Sequence, residues 1–131
     1  MKLTNKSEYA FLALIYLGRL SSDRLVHADE ISEAQGIPKR FLQQILHSLK
    51  RANIVRSVKG KQGGYCLYRS PDRISLAEVV RLFEGALAPT GSASKYFYES
   101  TPIEREKKML GVFKKIRTVV ADVLEQTARA D

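Results

Sequence analysis

The sequence predicts a mainly α-helical fold with one small β-hairpin and a long C-terminal helix. Three observations predict it. Apolar residues recur at helical spacing along most of the chain. One short stretch, from Ile54 to Tyr68, changes to strand-like alternation around a glycine-rich link. Beyond Thr101, apolar residues repeat by four and three, as on a helix that packs along its length.

The charge is concentrated. Of 131 residues, 22 are Lys or Arg and 14 are Asp or Glu, a formal excess of +8. The window Gly36 to Pro71 holds eight bases (Lys39, Arg40, Lys50, Arg51, Arg56, Lys59, Lys61 and Arg69) and no acid. Outside it 14 bases face 14 acids, so the whole excess sits in 36 residues. A surplus of this kind points to a polyanion, because each base near a phosphate releases condensed counterions. A solvated basic face is the plain alternative. The order of residues in the window decides for the polyanion.

The elements follow in order. Asn5-Lys6-Ser7-Glu8 has the spacing of a capping box. Tyr9 to Leu20 is apolar on most sides, with Ala10, Leu14 and Leu17 aligned, which predicts a helix buried against two partners. Ser21 to Arg24 form a polar loop. A short helix follows over 28–35, closed by Gly36. Ile31 and Ala34 are expected inward, and Asp29, Glu30 and Glu33 outward. Acids near that N-terminus suit the helix dipole and a supporting role away from phosphates.

Gly36-Ile37-Pro38 makes a tight turn, and Pro38 starts the next helix. Leu42, Ile45, Leu46 and Leu49 form its apolar stripe. Arg40, Gln43, Gln44, His47, Lys50 and Arg51 fall on the other side. Gln pairs with an adenine edge, and Arg or Lys with guanine. After Asn53, Ile54 and Val58 with Arg56 between them, then Tyr65 to Tyr68, read as two strands. Lys59-Gly60-Lys61-Gln62-Gly63-Gly64 joins them, and its glycines would let the tip approach a phosphate backbone. Amphipathic helix plus basic hairpin is a winged helix-turn-helix, with the helix in the major groove and the wing on adjacent backbone or minor groove.

Ser70-Pro71-Asp72 breaks the strand. Ser75-Leu76-Ala77-Glu78 is a second capping box, and Leu76, Val79, Val80 and Phe83 form an inward stripe up to Gly85. Ala86 to Ser100, with Tyr96-Phe97-Tyr98, reads as a loop, either functional or a plain connector. Thr101-Pro102-Ile103-Glu104 is a helix-start signal, and the helix should run to about Ala128. Met109, Phe113, Ile116, Val120, Val123 and Thr127 form its seam, widened by Leu110 and Leu124. The seam suits a twofold dimer, packing within the chain against the first helix, or both. The expected organisation is a winged helix-turn-helix over 1–85, a loop over 86–100 and a dimerisation helix over 101–131.

These residues carry a family resemblance. Gly36-Ile37, Phe41-Leu42-Gln43-Gln44-Ile45-Leu46, Leu49-Lys50, Ile54-Val55, Ser57-Val58-Lys59-Gly60 and Gly63-Gly64-Tyr65 together resemble the Rrf-two family of bacterial transcription regulators. Thr4 to Leu17 and Ile74 to Gly85 fit as well. The resemblance implies a winged helix-turn-helix with a long dimerisation helix, and an imperfect palindrome as target. The chain also departs from the family pattern. Cluster-binding members carry cysteines in the loop before the dimerisation helix, and Ala86 to Ser100 has none. The expected form is the cluster-free branch, similar to the cysteine-metabolism repressor type. No cofactor is expected, and a small-molecule or protein effector is the expected input.

Cys66 is the sole cysteine, so no internal disulfide is open to it. It is either a small apolar strand residue or a redox switch activated by Arg69 and Lys59. His27 and His47 are too few and too far apart for a metal site. His27 stands at a helix cap, and His47 on the reading face. No run reaches membrane-span length, and the start lacks a secretory pattern, so a cytoplasmic protein is expected.

The candidate DNA contacts are Pro38, Lys39, Arg40, Gln43, Gln44, His47, Lys50 and Arg51 on the helix, with Arg56, Lys59, Gly60, Lys61, Gln62 and Tyr65 in the wing. Candidate dimer contacts are Met109, Phe113, Ile116, Val120 and Val123. The function read from this is a homodimeric, sequence-specific DNA-binding regulator, a repressor. A winged-helix protein-interaction module without specific DNA binding is the alternative, and the acid-free window argues against it. No nucleophile–base pair, phosphate-binding loop before a helix or metal-ligand cluster suggests an enzyme.

Overall fold

The computed structural model describes residues 3–20, 24–85 and 91–127. Helices α1 (Asn5–Gly18), α2 (Ala28–Gln35) and α3 (Lys39–Arg51) precede strands β1 (Val55–Val58) and β2 (Gly64–Leu67). Helices α4 (Leu76–Glu84) and α5 (Lys107–Gln126) follow. Short 3₁₀ turns lie at Pro71–Arg73, Gly91–Ala93 and Pro102–Arg105. The fold is mainly helical with one two-stranded antiparallel hairpin, as the sequence predicts.

The main core gathers α1, α2 and α3 beneath the hairpin. Ala10, Leu14 and Leu17 of α1 meet Ile31, Ile37 and the whole α3 stripe, Leu42, Ile45, Leu46 and Leu49. All four stripe residues are fully buried. Truncating one of them to Ala removes about 2–5 kcal/mol. Gly36 caps α2 with a φ of 65°, a left-handed conformation that suits glycine. Ser32 then ties the turn, because its Oγ donates to the Ile37 carbonyl and its carbonyl accepts from the Ile37 N–H. This fixes the angle at which α3 leaves α2. On α2, Ile31 is buried as expected, but Ala34 is exposed, because the turn into α3 brings Ile37 into the core in its place.

The start of α1 differs from the expected capping box. Helix α1 already includes Asn5, and its N-cap is Thr4, whose side chain makes no local cap. The cap comes from α4. Glu84 Oε2 accepts from Thr4 N–H at 2.8 Å, Thr4 Oγ1 at 2.6 Å and Ser7 Oγ at 2.5 Å. These bonds hold the Glu84 carboxyl below the usual glutamate range, with the Ser7 hydroxyl first among the causes. At α4, Ser75 does accept from the Glu78 N–H at 3.2 Å. Glu78 does not complete the reciprocal half of the box, because its carboxylate is taken by Arg69.

Residues 102–105 form a 3₁₀ turn, and α5 begins only at Lys107. The start signal at Thr101 is spent locally. Glu104 accepts from the Tyr98 hydroxyl and from Ser100 Oγ, and Thr101 Oγ1 meets Ser92 Oγ at 2.6 Å. The expected loop at Ser21 lies mostly outside the described residues, as do Ala86 to Thr90 and the helix end at Ala128.

Helix α5 lies along α4, with Ala121 and Leu124 packed on Ala77, Val80 and Phe11. Arg81 pairs with Glu125 at 2.7 Å, and the Leu76 N–H donates to the Thr127 carbonyl at 3.0 Å. The sequence merged two seams of α5 into one. Leu110, Phe113, Val120 and Leu124 are half-buried and face the chain. Met109, Val112, Ile116, Val119 and Val123 are exposed, Val119 at 63%. The exposed set repeats by three and four without a break, which is heptad spacing. Phe113 and Val120, expected on the dimer face, therefore belong to the inner seam.

Candidate nucleic-acid interface

The interface begins with α3. Once its stripe is buried, helical geometry turns Arg40, Gln43, Gln44, His47, Lys50 and Arg51 outward, and all six are exposed. No acid stands on this face. Pro38 caps the helix, and its carbonyl accepts from the Leu42 N–H at 3.0 Å. Lys39 reaches back to Asp29 at 3.1 Å, a surface pair worth little alone. Arg40 lies over the ring of Phe41, 4.8 Å from its centre, and Phe41 stacks on Tyr9. This pairing narrows the orientations open to the guanidinium.

The hairpin begins after Asn53, which adopts a φ of 58° to reverse the chain. Val55 pairs with Leu67, Arg56 with Cys66, Ser57 with Tyr65 and Val58 with Gly64. Val55 is the buried residue of β1, whereas Arg56 and Val58 face solvent together. Val58 shares the face of Arg56, because residues two apart along a strand point the same way.

The glycines divide the work differently from the sequence reading. A Cβ on Gly63 would sit 1.9 Å from the Val58 carbonyl oxygen, and one on Gly64 would sit 2.7 Å from the Val26 backbone. Both serve packing inside the wing. Gly60 has open space around it, with a φ of 110°, and it alone of the three turns the exposed tip. Lys59, Lys61 and Gln62 are exposed beside it.

Val26 forms a bridge to Tyr65, with both backbone bonds at 2.8 Å. This third edge anchors β2, and the sequence reading missed it because one residue carries it. Tyr65 is half-buried and packs on the main core. It supports the wing and is corrected from the outer set of contacts. Cys66 is 2% exposed, on the face of the hairpin that Arg56 shares. Arg69 also leaves the exposed set. It donates to both Glu78 oxygens, at 2.9 and 2.6 Å, and to the carbonyls of Asn53, Ala52 and Arg73. Glu78 holds the Arg69 guanidinium above its ordinary pKa.

Of the eight bases in the window, Arg69 is clamped and Lys39 is paired. The other six, Arg40, Lys50, Arg51, Arg56, Lys59 and Lys61, form no ion pair among the described residues. His27 caps α2, its Nδ1 accepting from the Asp29 N–H at 3.2 Å. His47 stays on the outer face of α3.

A family model described as "Rrf2: Iron-dependent Transcriptional regulator" matches residues 3–131. The chain belongs to the Rrf2 family. A Mycobacterium tuberculosis relative, provisionally described as an HTH-type transcriptional regulator, is 36% identical over all of this chain and 80% of its own length. CymR of Bacillus subtilis is 27% identical over all of this chain and 88% of its own length. Its structure, described as that of the global cysteine regulator of that organism, superposes with a TM-score of 0.76 at 26% identity, covering 100% of this chain and 95% of that one. The IscR structure of T. potens gives 0.75 at 27% identity, covering 100% and 85%. The named Rrf2 relatives are described as transcriptional regulators. With its winged-helix fold, this Rrf2 chain is a DNA-binding transcriptional regulator. No helix among the described residues is long and apolar enough to cross a membrane.

The family description names iron, so the donor set matters. The one thiol in the sequence is Cys66, inside the wing, and the loop before α5 has none. No group of three His, Cys, Asp or Glu that could hold a metal occurs among the described residues. The residues present in this chain do not fit a thiolate-ligated cluster.

Proposed function

We propose that this Rrf2 protein is a homodimeric repressor that binds an imperfect palindrome and works without an iron–sulfur cluster. The observation that carries this reading is the pairing of two surfaces. One is the acid-free face of α3 and the wing tip, with six bases that form no ion pair among the described residues. The other is the exposed heptad on α5, Met109 to Val123. A twofold dimer through such a seam repeats the DNA face about a symmetry axis, and a twofold protein matches a palindromic site. In this reading Gln43, Gln44 and His47 meet base edges, with Pro38, Lys39 and Arg40 at the entry of α3. Lys50, Arg51, Arg56, Lys59, Gly60, Lys61 and Gln62 grip the backbone. The exposed aromatics Tyr96, Phe97 and Tyr98 occupy the loop where related proteins hold cluster ligands, so the input is of another kind.

The test is footprinting on the DNA upstream of the protein's own gene, together with a transcription assay. The expected result is two protected half-sites about one helical turn apart and reduced transcription. A single protected half-site, or increased transcription, would overturn the dimer or the repressor reading respectively.

A further inference from the structure

Arg40 is the second residue of α3, and its guanidinium lies over the ring of Phe41, 4.8 Å from the centre. Phe41 in turn stacks on Tyr9 of α1, with ring centres 6.3 Å apart and planes 25° from parallel. Tyr9 is half-buried and packs on the main core. The three groups thus form a column that starts at the core and ends on the outer face of α3. Successive residues of a helix point about 100° apart, so Arg40 reaches the next ring only by leaning across to it.

No protein acceptor competes for this guanidinium. Arg40 makes neither a hydrogen bond nor an ion pair among the described residues, and its one contact of this kind is the ring. Asp29, the acid that reaches the first turn of α3, is taken by Lys39 at 3.1 Å. An arginine held over a ring keeps its five N–H donors for an outside acceptor. Its orientation is set before DNA arrives, so less side-chain entropy is lost on docking. A preset direction suits a fixed pair of acceptors, such as O6 and N7 of guanine. A phosphate accepts from many directions and gains little from it. The N-terminal residues of a recognition helix are also those that meet base edges.

We infer that Arg40 reads a guanine, and that Phe41, backed by Tyr9, is the positioning residue that aims it. This rests on the reading of α3 as the DNA-binding helix and assigns one base to its entry.

The experiment is selection of duplexes by the full-length protein from a randomised library. Titrations then follow on the best selected duplex and on copies with each base pair replaced in turn. Arg40→Ala should lower discrimination at one G·C pair by about tenfold and leave the other positions unchanged. Phe41→Leu should lower discrimination at that same pair by about threefold, with the affinity for random duplex and the unfolding temperature held. Tyr9→Leu should weaken the same preference, and Phe41→Tyr, which keeps the ring, should restore it. The double variant Arg40→Ala with Phe41→Leu should lose no more at that pair than Arg40→Ala alone, since the ring acts through the arginine. Loss spread evenly over all positions in Arg40→Ala would make it a phosphate contact and overturn the inference. A lowered unfolding temperature with unchanged guanine preference in Phe41→Leu would make the ring a packing residue only and overturn its positioning role. Failure to enrich any sequence would overturn the specific DNA reading itself, and the inference with it.

Discussion

Arg69 and Glu78 are joined by two hydrogen bonds, of 2.9 and 2.6 Å, and this one pair ties the exit of the wing to α4. The same guanidinium also donates to the carbonyls of Ala52 and Asn53, where α3 passes into the hairpin. One side chain thus fixes α3, wing and α4 relative to one another. Arg69→Ala should cost about 1–3 kcal/mol, because partly buried acceptors lose their donor. Arg69→Lys should recover little, since an ammonium cannot reproduce the fork. Thermal unfolding checks both. Arg69→Ala should also leave the salt slope of DNA binding unchanged, which separates it from the exposed bases.

Glu84 gives a pH signature. Its folded pKa lies below the ordinary value, so its contribution is present above the ordinary glutamate range and is lost as pH falls through the lowered folded value. Stability should therefore fall on the acid side, and Glu84→Gln should flatten that limb while changing little at neutral pH beyond a constant offset. Denaturant midpoints across an acid-to-neutral series measure it. An unchanged acid limb in the variant would exclude the Thr4–Ser7–Glu84 clamp as its source.

Gly63→Ala should disrupt the wing, because its Cβ would overlap the Val58 carbonyl. A cost of about 1–3 kcal/mol is expected, with weakened DNA binding. Gly60→Ala meets no neighbour and should be milder, its cost coming from backbone conformation alone. Equal effects in the two variants would refute the division between tip and support.

The outer seam of α5 makes its own prediction. Val119→Lys places a charge in the middle of the exposed heptad and should yield a folded monomer by sedimentation, with an unaltered unfolding temperature at low concentration. Val120→Lys, on the half-buried inner seam, should instead lower stability. A dimer that survives Val119→Lys would move the self-association surface elsewhere.

Much of this was legible in the sequence. The α3 stripe reads plainly because Leu42, Ile45, Leu46 and Leu49 face one core, and Gly36 and Pro38 mark the turn before them. The exposed donors follow from the same helix geometry. What stayed hidden depends on contacts distant in sequence. Glu84 reaches Thr4 and Ser7 across most of the chain, so a local capping box looked sufficient. Arg69 looked like one more base until Glu78 was placed beside it. The single bridge of Val26 to Tyr65 has no periodicity to detect. On α5 the two seams differ by one residue in phase, and Val112 and Val119 were the signal for the outer one: adding them completes an unbroken heptad.

The central claim is that α3 reads bases while the wing grips phosphates. The measurement that tests it most directly is a DNA-binding titration on the protein's own upstream region and on random duplex, at several salt concentrations. Wild type, Gln43→Ala and Lys61→Ala are compared. Wild type should bind tightly, with a steep salt slope and a preference for the upstream region. Gln43→Ala should lose about 1–3 kcal/mol of that preference and keep its affinity for random DNA. Lys61→Ala should weaken both and reduce the slope by about 0.9. Equal loss on both duplexes for Gln43→Ala, or an unchanged slope for Lys61→Ala, would contradict the assignment.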